Sequence, residues 1–160
     1  MLLIPFMELL KKRRGEAFVP PKRLLCLDPG ETTGWAVFED AKLTASGQAT
    51  TAASGWHEID RLFSDIQPTM VVYENYRVYA HKLERHSNSE VYTLRLVGVI
   101  EYLCEVKHGI LYYNQMASQA KGFVTDDKLK QWGMYQIGHR HARDAIRHGC
   151  YFLLFDKALS

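Results

Sequence analysis

Residues 23–27 (RLLCL), apolar from Leu24 onward, read as a short buried strand, and Asp28-Pro29-Gly30 stops it with residues that favour a tight turn. A second run, 34–38, follows that turn, and a weaker third spans 42–48; this spacing predicts an antiparallel meander. The period then changes. Trp56, Ile59, Leu62, Phe63 and Ile66 fall on one face of a helix over 54–67, with Ser54 as its N-cap and Pro68 past its end. Residues 70–73 return to a buried-strand pattern that ends in Glu74. Val91, Leu94, Val97, Ile100, Tyr102 and Leu103 recur at helical intervals through 87–107; Gly109 breaks that helix, and 110–113 read as a last short strand. Two further helical stretches cover about 127–136 and about 139–154. Three strands followed by alternating helices and strands predict one α/β domain. Its sheet is mixed and five-stranded, antiparallel in its first three strands and parallel afterwards, and flanked by helices.

A chain of 160 residues is the size of one ordinary domain, and 47% apolar with 24% charged residues supports a real core, which excludes a disordered or fibrous chain. The formal charge of +2 is unevenly spread. Lys11, Lys12, Arg13, Arg14, Lys22 and Arg23 against Glu8 and Glu16 give residues 1–23 a local balance of +4, so the remainder is net −2. Bulk charge on its own therefore argues for no nucleic-acid partner. Residues 1–22 read as a basic arm closed by Val19-Pro20-Pro21, where two prolines interrupt helix and sheet alike, and 23–160 as the folded domain. Removing residues 1–20 is expected to leave the fold intact. Cys26, Cys104 and Cys150 are odd in number, widely spaced and set among apolar neighbours, the pattern of reduced buried thiols rather than of disulfides or a zinc site. Pro5 and Glu8 interrupt the apolar opening, and no stretch reaches the ~20 apolar residues of a membrane span. The expectation is a cytoplasmic protein with no membrane partner.

Candidate chemistry collects at three places. Asp28 and Glu74 each end a predicted strand, and in open α/β sheets ligands gather beyond the carboxyl ends of the strands. Taken singly, each is equally a turn cap, since Asp-Pro-Gly is a turn sequence in its own right. The third place is His141-Ala142-Arg143-Asp144, on the first turns of the last predicted helix. There His141 and Asp144 at i and i+3, and His148 four further on, share a face. Alone, such a face is more often a solvated helix edge. Together the three places say more. Carboxylates gathered in one site raise one another's pKa unless a cation neutralises them. Oxygen ligands with one imidazole suit Mg²⁺ or Mn²⁺, and two such ions about 4 Å apart activate water and stabilise the leaving oxygen in phosphodiester cleavage.

These residues resemble the RuvC-type Holliday junction resolvases. LLCLDPGETTGWAVFED is similar to that family's first hairpin, in which Asp-Pro-Gly follows the first strand and Thr-Gly opens the second; MVVYEN is similar to its next acidic strand end. AKGFVTDDKLKQW resembles the stretch in which one lysine precedes a glycine-containing loop and another follows an acidic residue. HARDAIRHG resembles the final helix, where a His or Asp is followed three residues later by an Asp. The resemblance runs in order from about residue 23 to 155, and the brevity and arm look more like phage-encoded members. It implies an RNase H-like fold. It also implies an endonuclease that cuts four-way or otherwise branched DNA with two Mg²⁺ or Mn²⁺ ions per active site and no nucleotide cofactor. Water would attack the phosphorus in line, leaving a 5′-phosphate and a 3′-hydroxyl. Carried over residue by residue, the resemblance makes Asp28, Glu74, His141 and Asp144 the metal ligands, with Asp28 bridging both ions, Glu74 on one side and His141 and Asp144 on the other. Lys121 and Lys128 match the family's two lysines, which contact DNA or stabilise charge near the scissile phosphate. Two positions depart from the pattern. An aromatic wedge belongs three residues after the second acid, where this chain has Arg77 flanked by Tyr76 and Tyr79; and His141 in place of an Asp lowers the site's negative charge by one. Symmetric cutting needs two sites related by a two-fold axis, so the resemblance also implies a homodimer.

Residues 76–86 (YRVYAHKLERH) bring together Tyr76, Arg77, Tyr79, Lys82 and Arg85, cations for phosphates and aromatic faces for unstacked bases, although both tyrosines also suit a core. Lys121, Lys128, Lys130, Arg140, Arg143 and Arg147 make the surroundings of the proposed site basic within a net acidic domain. Two other readings stay open: an RNase H-like nuclease acting on RNA or an RNA–DNA hybrid, and a module that holds a junction without cutting it. An actin-type ATPase, prompted by Asp-x-Gly-x-Thr-x-Gly at 28–34, is disfavoured because such proteins place the nucleotide between two domains of this kind and 160 residues supply one.

Overall fold

Leu24, Leu25, Cys26 and Leu27 have no solvent exposure, because the run they form is the middle strand of the sheet and is covered on both faces. In the computed structural model, which describes residues 4–76 and 88–159, this is β1 (Arg23–Asp28). The other strands are β2 (Thr33–Glu39), β3 (Lys42–Ala49), β4 (Met70–Glu74) and β5 (Leu111–Gln115). Among the described residues they form one five-stranded sheet in the order β3-β2-β1-β4-β5. β2 pairs antiparallel with both β1 and β3, whereas β1–β4 and β4–β5 are parallel, which is the mixed sheet expected from the order of the apolar runs.

Alternation along β1 divides the core. Leu24 and Cys26 pack in a cluster with Phe38, Ala145, Ile146, Cys150 and Phe152, on the face covered by α7 (Arg140–Phe155). Leu25 and Leu27 pack in a second cluster with Ile59 and Phe63 of α3 (Trp56–Ile66) and Leu96 and Ile100 of α4 (Asn88–Tyr102). At Gly149 α7 lies so close to the sheet that a Cβ there would overlap the Phe38 ring and stand 2.7 Å from Cys26 Sγ.

Two local expectations need correction, the cap of α3 and the extent of the helix at 127–136. Ser54 is not the N-cap of α3: it ends a short α2 (Thr51–Ser54), and Gly55, at φ 71°, makes the break before Trp56. In α4 the buried residues are Thr93, Leu96 and Ile100, while Val91, Leu94 and Tyr102 face outward. Helical spacing alone leaves this choice open, because the helix carries apolar residues on more than one side; it continues into a π-helical stretch, Leu103–His108. The helix expected over 127–136 is shorter, α6 (Asp126–Gln131), and is preceded by α5 (Ala117–Phe123).

The basic arm is part of the same core. Residues Phe6–Arg14 form α1, whose Phe6 and Leu10 are buried in the α7 cluster. Arg14 donates to the carbonyls of Leu153 (2.7 Å), Phe152 (3.2 Å) and Asp156 (2.7 Å), satisfying the C-terminal end of α7, which has no glycine to close it. Deleting residues 1–20 is therefore expected to destabilise the fold rather than spare it. Emptying two large apolar sites costs about 2–5 kcal/mol each, against a total stability of about 5–15 kcal/mol. A thermal melt followed by circular dichroism checks this; a truncated chain that melts like the full one would refute it. Among the described residues no helix is long and apolar enough to cross a membrane, and the three cysteines are free and buried.

Candidate active site

Leu27 of β1 and Tyr73 of β4 are register partners, so the next residues, Asp28 and Glu74, emerge side by side at the carboxyl ends of two neighbouring parallel strands. The start of α7 lies across those ends. Asp28 pairs in register with Gly34, and a Cβ at Gly34 would overlap the His141 carbonyl and stand 2.8 Å from Ala142 N. The missing side chain is what lets α7 seat there. Gln48 of β3 then accepts a hydrogen bond from the His141 backbone N–H at 3.0 Å, satisfying one of the helix's orphan donors. The Asp-Pro-Gly turn is locked by two hydroxyls that donate to the Gly30 carbonyl, Thr33 at 3.0 Å and Thr51 at 2.8 Å.

Asp28, Glu74, Lys121, Arg140, His141 and Asp144 line a single cavity of about 400 Å³. Side chains spread over more than a hundred positions of sequence meet in it. His141 Nδ1 lies 3.2 Å from Asp28 Oδ2. Asp144 is held by two cations, the Lys121 ammonium at 3.5 Å and Arg147 Nε at 3.2 Å. Arg147 is braced in turn by the Val124 carbonyl at 2.7 Å and by Asp126. Glu74 Oε2 is bonded by His148 Nε2 at 3.0 Å, and His148 Nδ1 lies 2.8 Å from Gln115 Oε1 at the end of β5.

The electrostatics follow from this crowding. Burial first, then the neighbouring Glu74 and Asp144 carboxylates, pushes the Asp28 carboxyl up to about 8. Burial would raise Glu74 as well, but the hydrogen bond from His148, with the Asp28 hydrogen bond and the nearby Lys121 ammonium, outweighs it and holds Glu74 below the usual carboxylate range. One of the two acids therefore keeps a proton while the other stays ionised. Burial, and then Arg140 beside it, lowers His141, which favours a neutral imidazole.

Among the described residues no group of three or more His, Cys, Asp or Glu side chains is disposed to hold a metal ion as it stands. Each carboxylate is instead turned onto a neighbour of its own: His141 for Asp28, His148 for Glu74, Lys121 and Arg147 for Asp144. The chemistry of the set nonetheless fits a hard divalent ion. Three carboxylates and an imidazole line one cavity, and Asp28 is buried beside Glu74 and Asp144, where a bound cation would favour its ionised form.

The other expected contacts divide. Arg140 lines the cavity with Lys121. Lys128 does not: its ammonium donates to the Phe123 carbonyl at 2.8 Å and sits over the Phe123 ring, so it closes the end of α5. Arg143 points to the preceding loop, donating to the Gln136 carbonyl at 2.7 Å and lying over Tyr135, and Lys130 lies over the same ring. Tyr76 is half-buried just past Glu74. Arg77, Tyr79, Lys82 and Arg85 lie outside the described residues. Sequence reasoning did not assign Gln115, although it ends a strand beside Glu74 as the acids do; it placed His148 on the right face and Arg147 among the basic residues without a partner for either.

No family model matches this chain, and no curated protein matches it. Solved structures do. RuvC of Thermus thermophilus, in complex with a Holliday junction substrate, superposes with a TM-score of 0.61 at 15% identity over 82% of this chain and 93% of that chain. The chain has the RuvC fold. The fowlpox virus Holliday junction resolvase has it too (TM-score 0.54, 13% identity, 82% of this chain and 97% of that chain), as does the yeast mitochondrial Holliday junction resolvase (TM-score 0.53, 11% identity, 92% and 84%). The RuvC fold is the mixed sheet flanked by helices described above, the RNase H-like architecture that the sequence resemblance implied.

Proposed function

We propose that this protein is a metal-dependent endonuclease that cuts branched DNA, four-way junctions foremost, by phosphodiester hydrolysis. One observation carries the reading: Asp28, Glu74, His141 and Asp144 converge in a cavity that also holds Lys121 and Arg140, on the fold of RuvC and two other resolvases. Asp28, Glu74, His141 and Asp144 would hold Mg²⁺ or Mn²⁺, two ions in this proposal, which when bound supply an acidified water and a counter-charge for the leaving oxygen. The protein's own groups do the rest. Asp28 and Glu74, on strand ends, give the site a rigid floor. Arg147 orients Asp144. Lys121, half exposed and only loosely paired at 3.5 Å, is placed to leave Asp144 for a phosphate oxygen, and Arg140 offers a second cation on the rim. A homodimer belongs to the proposal, since symmetric cutting needs two sites; the outward Val91, Leu94 and Tyr102 of α4 offer an apolar surface for it.

The test is a panel of linear duplex, fork, RNA–DNA hybrid and four-way junction incubated with Mg²⁺ or Mn²⁺. Metal-dependent cutting concentrated on the junction is expected. Equal cutting of hybrid and junction would move the assignment to a general RNase H-like nuclease, and junction binding with no cutting of any substrate would leave a binding module. Lys121→Ala is expected to slow junction cutting ~10-fold or more with the melting temperature unchanged; cutting at the wild-type rate would return Lys121 to the surface.

A further inference from the structure

His148 has no solvent exposure, and both of its ring nitrogens are engaged by acceptor-bearing side chains. A carboxylate oxygen only accepts, so the 3.0 Å contact with Glu74 requires the proton on Nε2. Gln115 can enforce that. Its Nε2 is buried without a partner while Oε1 faces His148; a half-turn of the amide lets Nε2 donate to Nδ1 and leaves the imidazole proton on Nε2, aimed at Glu74. The consequence concerns Glu74. Oε2 spends one lone pair on His148, which leaves Oε1 the better placed oxygen for an ion and biases Glu74 toward single-oxygen ligation. A carboxylate biased toward one oxygen suits Mg²⁺ or Mn²⁺, which sit in compact octahedral shells. It disfavours Ca²⁺, whose larger and more flexible shell gains from bidentate carboxylates.

We propose that His148, oriented by Gln115, is a positioning residue that biases Glu74 toward single-oxygen ligation and so sets the selectivity of the site for small divalent ions over Ca²⁺. This rests on the reading of Glu74 as a metal ligand. The experiment is calorimetric titration of the full chain with Mg²⁺ and, separately, Ca²⁺, for wild type, His148→Leu, His148→Asn and His148→Gln. Leucine removes the donor, and asparagine keeps polarity near Nδ1 but withdraws the donor from Glu74. Both are expected to raise Ca²⁺ affinity relative to Mg²⁺ ~10-fold or more, the scale on which outer partners of metal ligands act. Glutamine, whose amide nitrogen reaches the place of Nε2, is expected to keep the wild-type ratio. A residue that merely fills the core would change melting temperature in all three and leave the ratio alone. An unmoved ratio in either donorless variant that folds overturns the proposal, and if neither folds, loss of the wild-type ratio in His148→Gln overturns it. Failure of the wild-type chain to bind either ion overturns the reading of Glu74 itself, and with it the proposed function.

Discussion

Asp28→Asn is expected to lower Mg²⁺-dependent cutting of a synthetic four-way junction by at least about two orders of magnitude while leaving junction binding in place. Asparagine keeps the shape at the end of β1 but carries no charge for a divalent ion. The same substitution is expected to stabilise the metal-free chain. The Asp28 carboxyl sits at about 8 in the fold against an ordinary 3.8, because it is buried beside Glu74 and Asp144. A raised folded-state value means that the fold keeps a proton which the unfolded chain has released. Stability therefore falls as pH rises from about 4 to about 8, and the whole cost is present above that window. In a chelator at about pH 8.5 the variant should be more stable on the order of 2 kcal/mol, several degrees in melting temperature, and the gap should close toward pH 4. Saturating Mg²⁺ should reverse the order by stabilising only the wild type. Melts of both chains with and without Mg²⁺, beside a cleavage time course, check all of this. Wild-type cutting by the variant would remove Asp28 from the mechanism, and equal melting in chelator at high pH would show that its negative charge is already compensated.

Gly34→Ala is expected to be nearly as damaging to activity, from a residue that touches no substrate. The added Cβ meets the backbone of His141 and Ala142, which cannot swing aside as a flexible side chain would. The start of α7 must lift from β2, carrying His141 and Asp144 away from Asp28. A displacement of about 1 Å in a reacting constellation costs roughly 10²-fold in rate, and overpacking of this kind costs about 1–3 kcal/mol in stability. Gly98→Ala on α4 is the control: a Cβ there meets nothing within 4 Å, so no loss of activity or stability is expected. Equal activity of the two variants would show that the seating of α7 on Gly34 does not set the site.

Where the sequence was readable, the reason is local. The run Leu24–Leu27 had to be a strand buried on both faces, and Met70–Tyr73 another, because no polar side of either exists to face water. Asp28 and Glu74 then stood at strand ends without further argument. The helical period of the α7 segment placed Ala145, Ile146, Cys150 and Phe152 toward the sheet. What was not readable shares a cause as well. Spacing alone does not say which residues of α4 face the core, since the helix has apolar residues on more than one side, and packing against α3 and the sheet chose Leu96 and Ile100. Lys128 looks like a phosphate contact by motif, but a nearby carbonyl and an aromatic ring claim its ammonium. The arm looked detachable because two prolines close it, whereas its attachment is made by Phe6, Leu10 and Arg14, earlier in the chain than the break.

By itself, the sequence determined the order of the five strands and of the longer helices α3, α4 and α7, and the ends at which the acidic residues stand, because alternation and helical period record burial one element at a time. Only the tertiary structure decided partners. Arg14 closes a helix that ends some 139 residues away, and Glu74 bonds a histidine 74 positions on, which in turn rests on Gln115. Such pairings depend on how two faces come together in space, and no short-range pattern encodes which of several cations or imidazoles will arrive opposite a given carboxylate.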